Sequence, residues 1–383
     1  FAQNYLALGI FVTDIPYMGN GMLRPQWFGG LYNDKLSWEE TDQYDFGLDV
    51  DLFEYRLGVV LDYYYRYTDK LLYRVPLPGD YNGFGMQWAN AAALSNEGLE
   101  LLIKYEIFRR PDLYWKISVN GARNWNRIEK SYNGKDLAFG ITGKPLNRIY
   151  GYKTNGYVQK QEDLPLYFTT QGESYYLYPL AGPYTSFYRP GDYHYVDVNS
   201  DSYIFNDQVF LGSALPIISG GIVNEFRWKN FDLNFSMHYS IGRHMVNQLP
   251  SISLVFSTNP TEKFYKHPVF VDINKTTFWQ QEGDDSDYAK LRIGSEGEVL
   301  DRQVEKVNYL KLKTLTVGYN LPKSLISKWG MEQLRVFVSG ENLLTFSNYS
   351  GVDPEAVSIV SGVDYGTNYP LARKFTLGLT VKF

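Results

Sequence analysis

The chain has 383 residues, 44% hydrophobic and 17% aromatic, with 34 Tyr, 34 Gly, no Cys and a formal net charge of −5. That is ample for a large core or for two or three soluble domains. It offers no dense basic patch for nucleic acid and no thiol for a disulfide or a thiolate metal site. No run approaches the roughly 18–20 apolar residues of a membrane-spanning helix, which leaves open a crossing by strands, where the apolar face is hidden in alternation.

No initiator Met opens the chain, and residues 1–5 have neither the basic start nor the apolar stretch of a secretory signal, so a piece of a longer chain is expected. Residues 5–12 read as a short apolar strand. Residues 13–42, rich in Gly, Pro and aromatics that include Trp27, Phe28 and Trp38, read as a long loop. Residues 44–52 alternate cleanly: Tyr44, Phe46, Leu48, Val50 and Leu52 share one face, Asp45, Gly47, Asp49 and Asp51 the other. Three aspartates would disrupt a dry core but are at ease in a water-filled lumen. A tight turn at 53–55 leads into a strand at 57–68, whose Tyr63, Tyr64 and Tyr65 cluster suits a membrane interface. Residues 69–96, with Pro76, Pro78, Gly79 and Gly83, read as a second long loop.

A strand at 99–107, a turn at 109–112 and a strand at 113–124 follow. Residues 130–215 form a very long irregular region. Strands at 218–228 and 231–241 flank a minimal turn at Lys229 and Asn230, and residues 242–306 make another long excursion. In the strand at 309–319 the apolar phase slips between Leu312 and Leu315, which predicts a β-bulge. Residues 321–332 form a compact turn with a helical piece, and a strand at 334–346 is followed by a loop over 347–370. The final segment places Phe375, Leu377, Leu379, Val381 and Phe383 against Thr376, Gly378, Thr380 and Lys382. It reads as a barrel-closing and assembly strand.

Compact and long connections alternate along the chain. That is the plan of an up-and-down antiparallel transmembrane β-barrel, with short turns at one end and long loops at the other. About ten strands of roughly 9–13 residues are long enough to cross a bilayer at a tilt. A soluble sandwich would scatter its loop lengths, and a propeller would show a repeat of roughly 40–50 residues that is absent here.

The residues also resemble the carboxy-terminal part of SusC/RagA-type TonB-dependent outer-membrane transporters of Bacteroidota. The likeness is carried by Asp62 to Leu72, by Asn90-Ala91 with Asn96-Glu97-Gly98-Leu99-Glu100, and by Pro190-Gly191-Asp192 with Asp197-Val198-Asn199-Ser200-Asp201. Its most specific parts are Tyr309-Leu310-Lys311-Leu312-Lys313 through Pro322, Leu334 through Phe346, and Gly351-Val352-Asp353-Pro354-Glu355. The resemblance implies that these are about the last ten strands of a 22-stranded barrel. It implies an internal plug driven by TonB–ExbB–ExbD, a SusD-like surface lipoprotein as lid, and uptake of oligosaccharides or peptides. It allows a dimer of transporter–lid pairs. Plug, TonB box and early strands are not in this sequence. Outer-membrane lipid is the expected surround, with the long loops extracellular.

Candidate sites are few. Asp197, Asn199, Asp201 and Asp207 resemble a calcium loop, with oxygen ligands at alternate positions. Ser202 stands where the sharp turn needs Gly, however, and a solvated acidic turn fits as well. The acidic run Asp284-Asp285-Ser286-Asp287 reads as solvated charge. The four His lack ligand spacing, and no catalytic motif is present. Aromatics on the long loops, namely Trp27, Trp38, Trp88, Tyr184, Tyr188, Tyr193, Tyr195 and Trp279, are candidates to stack on substrate or contact the lid; packing of loop on loop explains them equally well. Two alternatives stand beside the importer: a surface-exposed β-rich glycan-binding protein without transport activity, and a surface glycan-processing enzyme.

Overall fold

The computed structural model describes residues 33–81, 84–132, 142–163, 189–200, 207–248, 275–290, 299–366 and 368–383, with a few isolated short pieces. The expected strand at 5–12 lies almost wholly outside them. The chain forms two units, residues 1–105 with 120–146, and residues 106–119 with 147–383.

The first unit is built on β1 (Glu40–Leu52), β2 (Leu57–Tyr81), the part of β3 (Phe84–Arg109) up to Tyr105, and residues 120–130 of β4 (Leu113–Lys130). Neighbours are antiparallel and consecutive. Register follows the alternation. Phe46 pairs with Tyr63 and Tyr63 with Leu99; Leu48 pairs with Leu61 and Leu61 with Leu101; Val50 pairs with Val59 and Val59 with Ile103. Each row puts apolar side chains on one face, and that face is open: Phe46 is 68% exposed. The opposite face carries Asp45, Asp62, Arg66 and Glu100. The Tyr64 hydroxyl donates to Asn124 Oδ1 across Gly98 at 2.8 Å.

The long loop expected at 69–96 is instead strand. β2 runs on to Tyr81 and β3 begins at Phe84. Register shifts between Thr68 and Leu71, Leu71 and Leu72, and Pro76 and Tyr81 break the period of two. Lys70 takes a left-handed φ of 56° at the first of them. Bulges preserve pairing while scrambling the alternation by which strands are read.

The second unit contains β5 (Arg148–Gly151), β6 (Thr154–Tyr157), β7 (Tyr193–Tyr195), β8 (Val209–Ser213), β9 (Ile218–Trp228), β10 (Phe231–Asn247), β11 (Val304–Asn320), a helical turn α1 (Lys323–Ile326), β12 (Gln333–Ser347), β13 (Val363–Asp364) and β14 (Lys374–Lys382). The start of β4 lies beside β9, and β9, β10, β11, β12 and β14 follow as an antiparallel meander. Apolar rows cross it too. Leu233 faces Val317, Val317 faces Val338, and Val338 faces Leu377; Phe231, Tyr319, Val336 and Leu379 form the next row. Leu377 is 74% exposed. The other face is polar. Ser236 and Thr314 share a hydrogen bond of 2.6 Å, and Thr316 and Ser339 one of 2.9 Å. Arg335 holds Asp232 through Nε at 2.9 Å and Nη2 at 2.5 Å, crossing over Gly318, where a Cβ would collide with both side chains.

The predicted slip in β11 is present. Ser236 pairs with Thr314 but Met237 with Leu312, so Lys313 is the extra residue of a bulge. The compact turns also stand where expected, with Lys229 at φ 50° and α1 followed by a 3-10 turn that Gly330 ends at φ 72°. The long irregular regions are partly ordered: β5 pairs with β8, and β6 with β7. No helix among the described residues is long and apolar enough to cross a membrane. The buried clusters of the second unit lie beneath its long connections. One gathers Tyr152, Val158, Tyr195, Ile204 and Leu300, another Met245, Val307, Tyr309, Tyr349 and Val357.

Candidate functional site

The long-connection end of the second unit is assembled in two blocks, both resting on the strands by specific polar contacts. In the first, residues 299–303 are laid against residues 152–154. Tyr152 N–H donates to Val299 O at 2.9 Å, Asp301 N–H to Tyr152 O at 3.0 Å, and Thr154 Oγ1 to Asp301 Oδ1 at 2.7 Å. This clamp fixes the backbone on both sides of Arg302. The guanidinium then points among three tyrosines. Nη1 donates to the Tyr157 hydroxyl at 3.0 Å, Nη2 donates to the Asp287 carbonyl, and Cζ lies 4.8 Å from the Tyr193 ring centre and 5.9 Å from that of Tyr288. Cation–π attraction and the two hydrogen bonds hold the plane in one orientation.

Around Arg302 lies an open concavity of about 550 Å³ with Tyr193, Asn247, Asp287, Tyr288, Glu305 and Ser350 in its wall. Both carboxylates are already engaged. Asp287 Oδ2 accepts from the Thr277 N–H and hydroxyl, each at 2.9 Å, and these bonds hold its pKa below the usual carboxylate range. Glu305 accepts from the Ser350 N–H at 2.9 Å and from the Ser350 hydroxyl and Asn247 amide. Burial pushes the Tyr193 and Tyr288 hydroxyls upward, so both stay neutral near pH 7.

The second block folds residues 348–371 onto the polar face of β10 and β11. Lys311 Nζ reaches Asp353 Oδ2 at 3.0 Å and Glu355 Oε2 at 2.9 Å, and Lys313 Nζ reaches Glu355 Oε1 at 2.8 Å. Arg243, 2% exposed, donates to the Ser358 carbonyl at 2.9 Å. Tyr349 donates to Asp364 Oδ2 at 2.7 Å, and burial together with that bond raises its hydroxyl pKa. β13 pairs in parallel with the end of β10. Two motifs noted in the sequence thus meet: the lysines of Tyr309–Lys313 are the partners of the acids in Gly351–Glu355.

The sequence-predicted site residues scatter. Trp27, Tyr184, Tyr188 and Asp201 lie outside the described residues. Trp38 is almost fully exposed, and Trp88 is half-buried under Arg74. Tyr193 does line the concavity. Tyr195 and Trp279 are only 5% and 4% exposed, the loop-on-loop packing that stood beside the substrate or lid role. Tyr195 packs edge-on against Tyr152, and Trp279 lies over Gly191, whose φ of 92° and lack of Cβ admit the indole. The Pro190-Gly191-Asp192 motif is accordingly a turn tied to Val158 by two backbone bonds, at 2.8 and 2.9 Å. Asp197 accepts from the Ser200 N–H at 2.7 Å while Asp207 is buried, and no three His, Asp or Glu side chains gather as a metal site among the described residues. Asp284 accepts the N–H groups of Gln280 and Gln281, so that acidic run shapes a turn. Sequence reading missed Arg302, because its three tyrosines come from segments 14 to 145 positions away.

A family model described as "TonB dependent receptor-like, beta-barrel" matches residues 15–224. TonB-dependent receptor P3 of Formosa agariphila is 31% identical over 375 residues, covering 92% of this chain and 35% of that protein. TonB-dependent receptor SusC of Bacteroides thetaiotaomicron is 26% identical over 358 residues, covering 92% of this chain and 33% of that one. A solved structure of the RagAB peptide transporter superposes with a TM-score of 0.71 at 23% identity, over 99% of this chain and 39% of that chain, which is a likeness of fold. The chain spans about a third of the length of the curated relatives it matches. Apolar strand rows, polar inner pairs and these matches agree: the chain belongs to the TonB-dependent receptor family and supplies part of its β-barrel.

Proposed function

We propose that this chain is part of an outer-membrane TonB-dependent importer of a Gram-negative bacterium, taking up oligosaccharides or peptides. Its apolar rows face lipid, where backbone groups must be satisfied by neighbouring strands. The polar faces line the passage. The blocks around Arg302 and Lys311 belong to the outer, ligand-capturing end, where a SusD-like lipoprotein acts as lid. Energy from TonB–ExbB–ExbD enters through a plug in the remaining length of such receptors. The reading is of a transporter, not an enzyme.

The observation that carries it is the exposure of the apolar rows: Phe46, Leu48, Leu101, Val317, Val338 and Leu377 are all open on the side facing away from the ion pairs and hydroxyl pairs. A soluble protein does not leave such apolar rows uncovered across the strands of each unit. The test is uptake in the native organism. Deleting the receptor gene should abolish import of one class of oligomer while leaving surface binding by the lid protein in place. Restoring the receptor with Arg302→Gln should return import at reduced affinity. Unchanged import after deletion, with loss of surface binding alone, would establish the glycan-binding alternative instead.

A further inference from the structure

The compact-turn end of the second unit carries a feature that transport does not explain. Its turns are chained together through the backbone. Lys229 N–H donates to Asp112 O at 2.7 Å, Asn320 N–H to Asn230 O at 2.8 Å, and Glu332 N–H to Lys382 O at 2.7 Å. The result is a continuous edge made of residues 108–112, 228–231, 321–332 and the end of β14. In a chain of net charge −5, the three turns hold five bases, Arg109, Arg110, Lys229, Lys323 and Lys328, against two acids, Asp112 and Glu332. Arg109 is paired with Glu106, and Glu332 with Lys382 at 3.2 Å. Arg110, Lys229, Lys323 and Lys328 make no ion pair with any described residue, and all four are exposed.

Interleaved with these cations are exposed aromatics: Trp228, Phe231 and Trp329. Lys229 Nζ lies 5.6 Å from the Trp228 ring centre. Exposed aromatic surface beside hydrated cations is satisfied neither by plain water nor by hydrocarbon alone. It suits the boundary where acyl chains give way to charged headgroups. Aromatics alone would suit any bilayer. The unpaired cations select for negative charge, since each Lys or Arg near a surface draws it toward anionic lipid.

We propose that this turn edge is a docking surface for anionic glycerophospholipid headgroups, with Trp228, Phe231 and Trp329 at headgroup depth and Arg110, Lys229, Lys323 and Lys328 against the phosphates. The proposal rests on the membrane reading given above. It adds a lipid preference at one rim that the barrel alone does not require.

The test uses the full-length receptor purified in mild detergent, equilibrated with equimolar phosphatidylglycerol and phosphatidylcholine, with retained lipid counted by mass spectrometry. The wild type should retain phosphatidylglycerol over phosphatidylcholine about tenfold, and molar salt should reduce that preference because the sites are exposed. Combined R110Q, K229Q, K323Q and K328Q should lose the preference, whereas R110K, K229R, K323R and K328R together should keep it. Equal retention of both lipids by the wild type, or an undiminished preference in the glutamine variant, overturns the proposal. A receptor that holds no lipid and stays monodisperse without detergent overturns the membrane reading beneath it.

Discussion

Lys311 shows how one residue can decide the position of a whole loop. Its ammonium is enclosed between the carboxylates of Asp353 and Glu355, with only 3% of its side chain exposed. Desolvating a cation is costly, and the loss is recovered only because both acids converge on it with normal hydrogen-bond lengths. Removing the cation leaves two carboxylates facing each other, with Lys313 near only one of them. Lys311→Met should therefore destabilise the docked loop by about 3 kcal/mol. The expected readout is proteolytic nicking within residues 348–371 while the strands stay intact. Adding Asp353→Asn to Lys311→Met should recover part of the loss, a coupling that a double-mutant cycle would quantify. Equal protease resistance in wild type and K311M would show that the ion network does not hold the loop.

At the scale of elements, the strands declare themselves through alternation and the loops do not. The rows through Leu48, Leu61 and Leu101, and through Leu233, Val317, Val338 and Leu377, follow from sequence because lipid on one side and water on the other impose a strict period of two. The bulge in β11 was legible for the same reason: a phase slip between Leu312 and Leu315 has no other economical cause. The hairpin through 69–96 was not legible, because three register shifts and Pro76 erase the period while keeping the pairing. Tyr193 and Tyr195 were indistinguishable in sequence. A register shift between them accompanies their different fates, one in the wall of the concavity and one in the core. The partners of Lys311 lie 42 and 44 positions away, and no local signal links them. The bulge makes a sharp prediction. Because Lys313 alone is out of phase, deleting it joins Leu312 to Thr314 and keeps Lys311 on the polar face and Leu315 on the apolar one, whereas deleting the in-phase Thr316 forces one side of β11 to turn over, sending Lys311 toward lipid or Val317 toward the lumen. The Thr316 deletion should abolish the heat-modifiable folded form on a gel, whereas the Lys313 deletion should preserve it, losing mainly the partly exposed pair with Glu355 at about 1 kcal/mol or less. Normal folding of the Thr316 deletion, or loss of folding in the Lys313 deletion, would refute the register.

At the scale of the whole molecule, the chain inverts the usual arrangement of a globular protein. Its buried clusters in the second unit lie under the long connections, and its strand rows carry their apolar side chains outward. In water that arrangement would aggregate; in a bilayer it is the stable one, because neighbouring strands satisfy each other's backbones and outward apolar side chains suit hydrocarbon. Under the proposed function, ligand capture and lid contact fall to the polar blocks around Arg302 and Lys311, where geometry is fixed by ion pairs and backbone clamps.

Which face of the strands meets lipid decides whether this sheet is part of a membrane barrel. The chain contributes no cysteine of its own, so single cysteines along 375–381 of the full-length receptor can carry spin labels in turn. Labels at Phe375, Leu377, Leu379 and Val381 should be accessible to oxygen and shielded from a water-soluble nickel chelate. Those at Thr376 and Thr380 should show the reverse, giving a period of two along the strand; Gly378 is left unlabelled because a Cβ there would meet the Phe337 ring. Equal access of the nickel chelate to both sets would contradict a lipid-facing β14 and, with it, the membrane barrel.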